Sequence, residues 1–103
     1  MAITYKTRIV TTTPYTVAAD DEVIFVDVAG PASVILPATG SSIEDDENFA
    51  YYIKDYSGLS KTNPITITAP AGRTIDGESF AMLNGGYSHI QVVYDGVNWM
   101  TIS

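Results

Sequence analysis

The chain contains no cysteine, and this single absence removes several classes of function. Disulfide bonds, thiolate catalysis, iron–sulfur clusters and zinc–thiolate sites all require cysteine sulfur. The 103 residues must therefore be stabilised by packing and hydrogen bonding alone. A chain of this length is expected to form one domain, and because a small domain buries a modest share of its surface, self-association is favoured.

Positive charge is also scarce. Five Lys and Arg residues stand against twelve Asp and Glu residues, which gives a net charge of −7. The cations are scattered singly along the chain, whereas binding to nucleic acid requires clustered cations that contact phosphates. We therefore expect no nucleic-acid partner. An acidic surface favours solubility at high local concentration.

Long apolar runs are missing as well. The longest run, Val23 to Val26, is far shorter than the roughly 18 residues that a membrane-spanning helix needs. The N-terminal residues Met1 to Lys6 lack the apolar core of a secretion signal. We expect a soluble protein that is made in the cytoplasm and has no membrane partner.

The pattern that is present is the two-residue alternation of β-strands. Ile65 and Ile67 alternate with threonines, and Ile90, Val92 and Tyr94 share one face of a later segment. Further strands are predicted at residues 5–10, 15–17, 23–28, 32–36, 50–55, 74–75, 80–83 and 99–103. Many short strands with turn signals at a spacing of about ten residues indicate an all-β fold, a single antiparallel β-sandwich of jelly-roll-like or barrel-like form. The Asp-Gly pair in residues 95–98 predicts that the chain ends in a hairpin.

The N-terminal segment is predicted to be a separate strand or arm. Residues 1–10 form this arm and residues 11–103 form the sandwich domain, because Pro14 lacks the amide proton that a β-ladder requires. The alternation in the arm suits pairing with a neighbouring chain as an added strand. Ile3, Tyr5 and Arg8 are therefore candidate interface residues.

A second candidate interface lies in residues 50–56. Alternation places Tyr51 and Ile53 on one face of this strand, and Tyr52, Lys54 and Tyr56 on the other. If the first face belongs to the core, the second is a surface that carries two tyrosines. Tyrosines on such a surface serve either as cross-strand packing or as protein–protein contacts. Tyr52 and Tyr56 join the candidate interface residues on the second interpretation.

Residues suited to catalysis or metal binding are few. His89 is the only histidine, and Ser88 beside it points to the opposite face of a strand, so the two cannot form a dyad. The acidic run Glu44 to Glu47 could offer oxygens to calcium, but it lacks the alternating spacing of a calcium loop and is better interpreted as a solvated loop. We predict no catalytic residue, no metal site, no cofactor and no enzymatic activity.

The single tryptophan, Trp99, has two interpretations. It shares a strand face with Thr101, opposite Met100 and Ile102. Burial in the core is the preferred interpretation, because large aromatic side chains are highly buried on average. The alternative is an exposed position at a loop tip, where Trp99 would bind a glycan.

The order of several of these segments resembles a β-domain found in tailed-bacteriophage virion proteins. The segments are the strand N-P-I-T-I-T at residues 63–68, the turn I-D-G at residues 75–77 and the hairpin V-V-Y-D-G-V-N-W at residues 92–99. Residues 14–17, 23–27 and 33–37 resemble the opening strands of the same domain. Proteins with this domain include head-decoration, head-fibre and tail-appendage proteins.

The resemblance implies a structural or adhesive role without chemistry. It implies a homotrimer, because such proteins sit on three-fold or quasi-three-fold axes. We expect a capsid decoration (cement) protein that binds the major capsid protein on the outer surface, stabilises the shell, and resides in the virion after assembly in the host cytoplasm. The absence of a fibrous shaft or heptad region favours this role. The alternative is a tail-fibre or baseplate appendage that binds a host surface glycan.

Overall fold

The computed structural model describes residues 6–18, 21–37 and 50–102. In these ranges the regular elements are nine strands: β1 (Thr7–Val10), β2 (Tyr15–Thr16), β3 (Val23–Val26), β4 (Ala32–Ile35), β5 (Ala50–Asp55), β6 (Ile65–Thr68), β7 (Phe80–Leu83), β8 (His89–Tyr94) and β9 (Trp99–Ile102). The prediction of an all-β fold is confirmed for this part of the chain. Within it, no helix has the length and apolar character needed to cross a membrane.

The strands form two mixed sheets. Sheet 1 has the order β1-β3-β5-β8-β9, and sheet 2 has the order β2-β4-β6-β7. Strands β1, β3 and β5 are parallel to one another, as are β2, β4 and β6. The pairs β5–β8, β6–β7 and β8–β9 are antiparallel. The predicted antiparallel sandwich is therefore wrong in strand direction for the first six strands.

The parallel pairing follows from the path of the chain between the sheets. From β1 to β6 each successive strand lies in the other sheet, so the chain alternates between sheets before β7, β8 and β9 complete them. Parallel neighbours cannot be joined by a tight turn and need a long connection. Here each such connection includes a strand of the opposite sheet. This alternation is the winding found in β-helices and solenoids, where successive coils stack on one another.

The inward faces of both sheets contribute to one hydrophobic core. In β5 the residues Tyr51 and Ile53, which the alternation places on one face, are buried, so this is the core face of the strand. Trp99 is 0% exposed, which confirms its predicted place in the core. Its ring lies 5.8 Å from that of Tyr51 and 5.3 Å from that of Tyr94, measured between centroids. The alternative of Trp99 as an exposed glycan contact is wrong.

The terminal hairpin forms as predicted. Strands β8 and β9 pair antiparallel, with Tyr94 opposite Trp99. In the turn between them Gly96 has a φ of 101°, a conformation that glycine adopts without steric cost. The Asp95 carboxylate accepts hydrogen bonds from the amides of Val97 and Asn98, both at 2.8 Å. These bonds fix the turn through its own side chain.

The two edges of sheet 1 differ in how they are covered. Residues 74–76 lie beside β9, where the Trp99 amide donates to the Thr74 carbonyl at 2.9 Å and the Asp76 amide donates to the Trp99 carbonyl at 3.0 Å. The Thr101 amide donates to the Asp76 carboxylate at 2.9 Å. These contacts satisfy the outer backbone groups of β9. Among the described residues, no strand or loop takes the equivalent place beside β1.

The backbone orientation of β1 defines its open side. The carbonyl of Lys6 accepts a hydrogen bond from the amide of Val23 at 3.0 Å, and the carbonyl of Val10 accepts one from the amide of Asp27, just after β3, at 2.8 Å. Because backbone groups alternate in direction along a strand, the amides and carbonyls of Thr7 and Ile9 face away from the sheet.

Candidate functional site

The outer face of sheet 1 carries a groove of about 290 Å³. Its lining residues are Val23 and Phe25 of β3, Tyr52 and Lys54 of β5, and His89 of β8. The register places Val23 beside Tyr52 and Phe25 beside Lys54, and it places Lys54 opposite His89. The groove is therefore built on two adjacent rows of outward-facing side chains in the middle of the sheet.

The charge of the groove differs from that of the whole chain. Lys54 is a cation, and none of the lining side chains is acidic. The chain as a whole has a net charge of −7. The binding of an anionic group is therefore electrostatically more favourable in this groove than on most of the acidic protein surface.

The ammonium group of Lys54 is held in place by Tyr87. Its Nζ donates a hydrogen bond to the Tyr87 carbonyl and lies 5.9 Å from the centroid of the Tyr87 ring. A cation over an aromatic ring is attracted to the negative face of that ring. An ammonium group has three donors, so the contact with Tyr87 leaves donors for a ligand.

The backbone of Tyr87 is held in turn by Asp55, a buried carboxylate at the end of β5. Asp55 is 1% exposed. Its Oδ1 accepts hydrogen bonds from Ser57 Oγ at 3.1 Å and from the Gly58 amide at 3.0 Å. Its Oδ2 accepts from the amides of Ser60 at 3.0 Å and Tyr87 at 2.9 Å. One carboxylate thereby joins the loop after β5 to the turn before β8.

These hydrogen bonds determine the charge state of Asp55. Burial would raise the pKa of this carboxyl, but the hydrogen bonds from Ser60, Tyr87 and Ser57 outweigh it and lower the pKa to about 2. Asp55 is therefore ionised at neutral pH. Since it fixes Tyr87, which holds Lys54, Asp55 is a positioning residue for the groove.

A second buried carboxylate, Asp21, joins β1 to β2. It is 6% exposed and accepts hydrogen bonds from Arg8 Nε at 2.8 Å, the Ala18 amide at 2.9 Å and the Tyr15 hydroxyl. Burial would raise the pKa of Asp21, but the hydrogen bonds from Tyr15, Arg8 and Ala18 outweigh it and lower the pKa. Burial, together with the hydrogen bond to Asp21, raises the pKa of Tyr15 to about 12. The pair of Arg8 and Asp21 thus anchors the edge strand to the domain.

The predicted interface residues of the N-terminal segment are only partly described. Ile3 and Tyr5 lie outside the described residues. Arg8 lies in β1, and its half-exposed guanidinium forms an ion pair with Asp21 of the same chain. Its role in an interface stays a prediction.

The predicted tyrosine surface of β5 is present as a surface. Tyr52 lines the groove, and Tyr56 is 48% exposed. The Tyr56 ring lies 5.6 Å from the Phe25 ring, between centroids. The alternation that separates this face from Tyr51 and Ile53 is confirmed, whereas contact with a partner protein stays a prediction.

The other candidate sites give no constellation of reactive groups. His89 is exposed at the groove, whereas Ser88 Oγ is buried and has no hydrogen-bond partner among the described residues. The acidic run Glu44 to Glu47 lies outside the described residues. In the part of the chain that the structure describes, no group of three or more His, Asp or Glu side chains could hold a metal ion.

Sequence reasoning missed Asp55, and only a partial signal for it exists. The order Asp55, Ser57 and Gly58 at the end of a strand is typical of a turn closed by an aspartate side chain. That signal predicts the local bonds. The bond to Tyr87 spans 32 residues, and no local pattern indicates it.

Comparison with protein-family models finds no family that matches this chain, and comparison with curated proteins finds no significant match.

Proposed function

We propose that this protein is a non-enzymatic structural component of a tailed-bacteriophage particle, a homotrimeric decoration protein that binds the major capsid protein on the outer surface of the shell. The observation that carries the proposal is the edge of β1, which no strand or loop of the described residues covers. The outward amides and carbonyls of Thr7 and Ile9 form a row to which a strand of another chain can pair. The order of strands and turns in the sequence supports the virion context.

The composition of β1 leaves this edge available. Proteins usually protect an edge strand with proline, charged side chains, a bulge or a covering segment. β1 has the sequence Thr-Arg-Ile-Val, without proline, and its single charged side chain, Arg8, is engaged by Asp21. By contrast, residues 74–76 cover β9. The contrast within one sheet favours β1 as the edge for self-association.

The edge is also preformed. Val10 is 4% exposed in the core, and Arg8 is tied to Asp21, so β1 is anchored at both ends. Association with a preformed edge loses less conformational entropy than association with a segment that must first become ordered. In this proposal the two sheets with their shared core act as a rigid sandwich, and the acidic surface keeps the protein soluble at high local concentration.

The oligomeric state tests the role of the edge. In light scattering, the wild-type protein should have a mass of about three times the 11.1 kDa of one chain. Ile9→Pro removes one outward amide, a change that edge strands tolerate, and should lower this mass. The matched control Ile9→Thr keeps the amide and should remain trimeric. A monomeric wild type at micromolar concentration would overturn the trimer, and equal masses for the two variants would overturn the edge.

The location on the particle tests the decoration role. Electron cryomicroscopy of the particle should show the protein on the outer capsid surface, at three-fold or quasi-three-fold positions. Density for the protein on the tail would contradict this role and would support the alternative, a tail-fibre or baseplate appendage that binds a host surface glycan.

A further inference from the structure

We propose that the groove on the outer face of sheet 1 binds a sugar ring that carries a carboxylate, such as a uronic-acid unit of an acidic polysaccharide. The inference goes beyond the structural role above and rests on different residues. It depends on the shape of the groove, its two aromatic side chains and the cation at its side.

The size of the groove suits one ring. Its volume of about 290 Å³ lies just below the range of about 300–1,000 Å³ for ligand pockets, which is set by larger, drug-sized ligands. A groove of this volume, lined by five side chains, accommodates one sugar unit. Because it lies on the open face of a sheet, the neighbouring units of a polysaccharide can extend beyond it on either side.

The aromatic residues supply the surface on which a sugar ring packs. Phe25 and Tyr52 lie on adjacent strands, and both are partly exposed. One face of a pyranose ring presents C–H groups and is apolar, whereas its rim carries hydroxyl groups. Tyrosine offers an apolar ring together with a polar hydroxyl, so it can contact both parts. Val23, beside Tyr52, extends the apolar area.

The cationic side of the groove selects for the carboxylate. Lys54 lies beside Phe25 in the register and opposite His89, and none of the lining side chains is acidic. A hydrogen bond from an ammonium to a carboxylate is charge-assisted and stronger than a bond between neutral groups. A neutral sugar would pack on the same aromatic rings but would lack this bond.

The cation is held in position before any ligand binds. Lys54 donates to the Tyr87 carbonyl, and the Tyr87 amide donates to the buried Asp55 carboxylate. A side chain supported in this way loses little further freedom when it contacts a ligand. Lys54 is thus connected through Tyr87 to a buried carboxylate, and this support suits a residue that binds a ligand.

Calorimetric titration of the full-length protein tests the inference. The probes are tri-galacturonic acid and its methyl ester, which differ in charge and keep the same rings. The acid should bind at least tenfold more tightly than the ester. Tyr52→Ser and Lys54→Met should each weaken binding of the acid at least tenfold. Lys61→Met, which changes an exposed lysine outside the groove, should leave it unchanged.

A further variant separates ligand contact from structural damage. Lys54→Met also removes the bond to Tyr87, so His89→Ala is measured beside it, because its side chain lines the groove without a part in the Asp55 contacts. It should weaken binding of the acid while the melting temperature stays within a few degrees of wild type. Equal binding of acid and ester, or no binding of either, would overturn the inference.

The same variants distinguish ligand binding at the groove from self-association through the edge of β1. Ile9→Pro should lower the mass of the protein in light scattering but retain binding of the acid. Tyr52→Ser should retain the mass of the trimer but weaken binding of the acid. If Tyr52→Ser instead dissociates the trimer and the wild type binds no acid, the face is a protein contact and the inference is wrong.

Discussion

Replacement of Asp55 by asparagine should destabilise the protein by about 2–4 kcal/mol, because the amide can satisfy only half of the donors that the carboxylate satisfies. Each carboxylate oxygen of Asp55 accepts two hydrogen bonds. In asparagine an NH2 group replaces one of the two carboxylate oxygens. In either orientation of the side-chain amide, this NH2 group faces two hydrogen-bond donors and can accept from neither. A donor left without an acceptor costs about 1–3 kcal/mol when it is buried and less when it is partly exposed, as in three of these four hydrogen bonds. This loss is a large part of the free energy of unfolding of a typical domain, which is on the order of 5–15 kcal/mol.

The loss of stability caused by Asp55→Asn should become smaller as the pH falls. The pKa of Asp55 is lowered from 3.8 to about 2 in the folded protein. A lowered pKa means that the folded state favours the carboxylate, so the stabilisation is fully present above the unfolded pKa and is lost as pH falls through the folded pKa. A shift of this size corresponds to about 2 kcal/mol. The difference in stability between wild type and Asp55→Asn should therefore narrow between about pH 5 and pH 2.

Urea denaturation, followed by the fluorescence of Trp99, measures both the loss of stability and its dependence on pH. Trp99 is the only tryptophan and is fully buried, so its emission reports on the core. The matched control is Asp27→Asn at an exposed carboxylate, which should change the stability by no more than about 0.5 kcal/mol. Other carboxylates titrate in both proteins and cancel in the difference. A difference that stays constant down to about pH 2 would refute the assigned role of the Asp55 charge.

Two further substitutions test the packing of the core and of the loop beside the groove. Trp99→Ala should cost about 3–5 kcal/mol and Trp99→Phe much less, measured by thermal melting; a melting temperature unchanged by alanine would contradict the central place of this ring. Gly58 and Gly72 both have a φ of 80°, so alanine at either position adds strain of about 1–2 kcal/mol. Only at Gly58 would the new Cβ lie within 2.5 Å of the Tyr87 ring, so Gly58→Ala should lower the melting temperature more than Gly72→Ala. Equal losses would mean that the ring moves aside freely.

The faces of the strands could be predicted because side-chain direction is a local property. Successive side chains of a strand point to opposite faces, so the alternation in β5 was enough to separate Tyr51 and Ile53 from Tyr52 and Lys54, and the structure shows that the first pair faces the core. Trp99 was assigned to the core on a different ground, the high average burial of large aromatic side chains, and the structure confirms that assignment. The Asp-Gly pair in residues 95–98 predicted the hairpin, because the turn residues themselves determine that geometry.

Strand direction could not be predicted, because it depends on partners that are distant in sequence. Turn signals between short strands favoured antiparallel neighbours, and this holds for β8 and β9. In the first six strands the same signals mark passages from one sheet to the other. Residues 11–22 separate β1 from its parallel partner β3 and include β2. A local pattern shows that a strand ends but does not show which sheet the next strand joins.

The groove could not be predicted from the sequence, because it too depends on strands that are distant in sequence. Tyr52 and Lys54 were assigned to one surface, but Phe25 and His89 join them only through the pairing of β3, β5 and β8. In the sequence Asp55 resembles any acidic residue at the end of a strand, and an acidic residue is solvated in most proteins. Its burial becomes evident only when the turn before β8 lies against the loop after β5.

The two buried carboxylates support two different surfaces, which explains why the proposed functions can be separated by mutation. Asp21 binds Arg8 and thereby anchors the edge strand β1. Asp55 binds the Tyr87 amide and thereby positions Lys54 at the groove. The two carboxylates have no hydrogen-bond partner in common among the described residues. A change at Asp55 is therefore expected to reach the groove and leave the edge intact, because each ionised group fixes only the segments that bond to it.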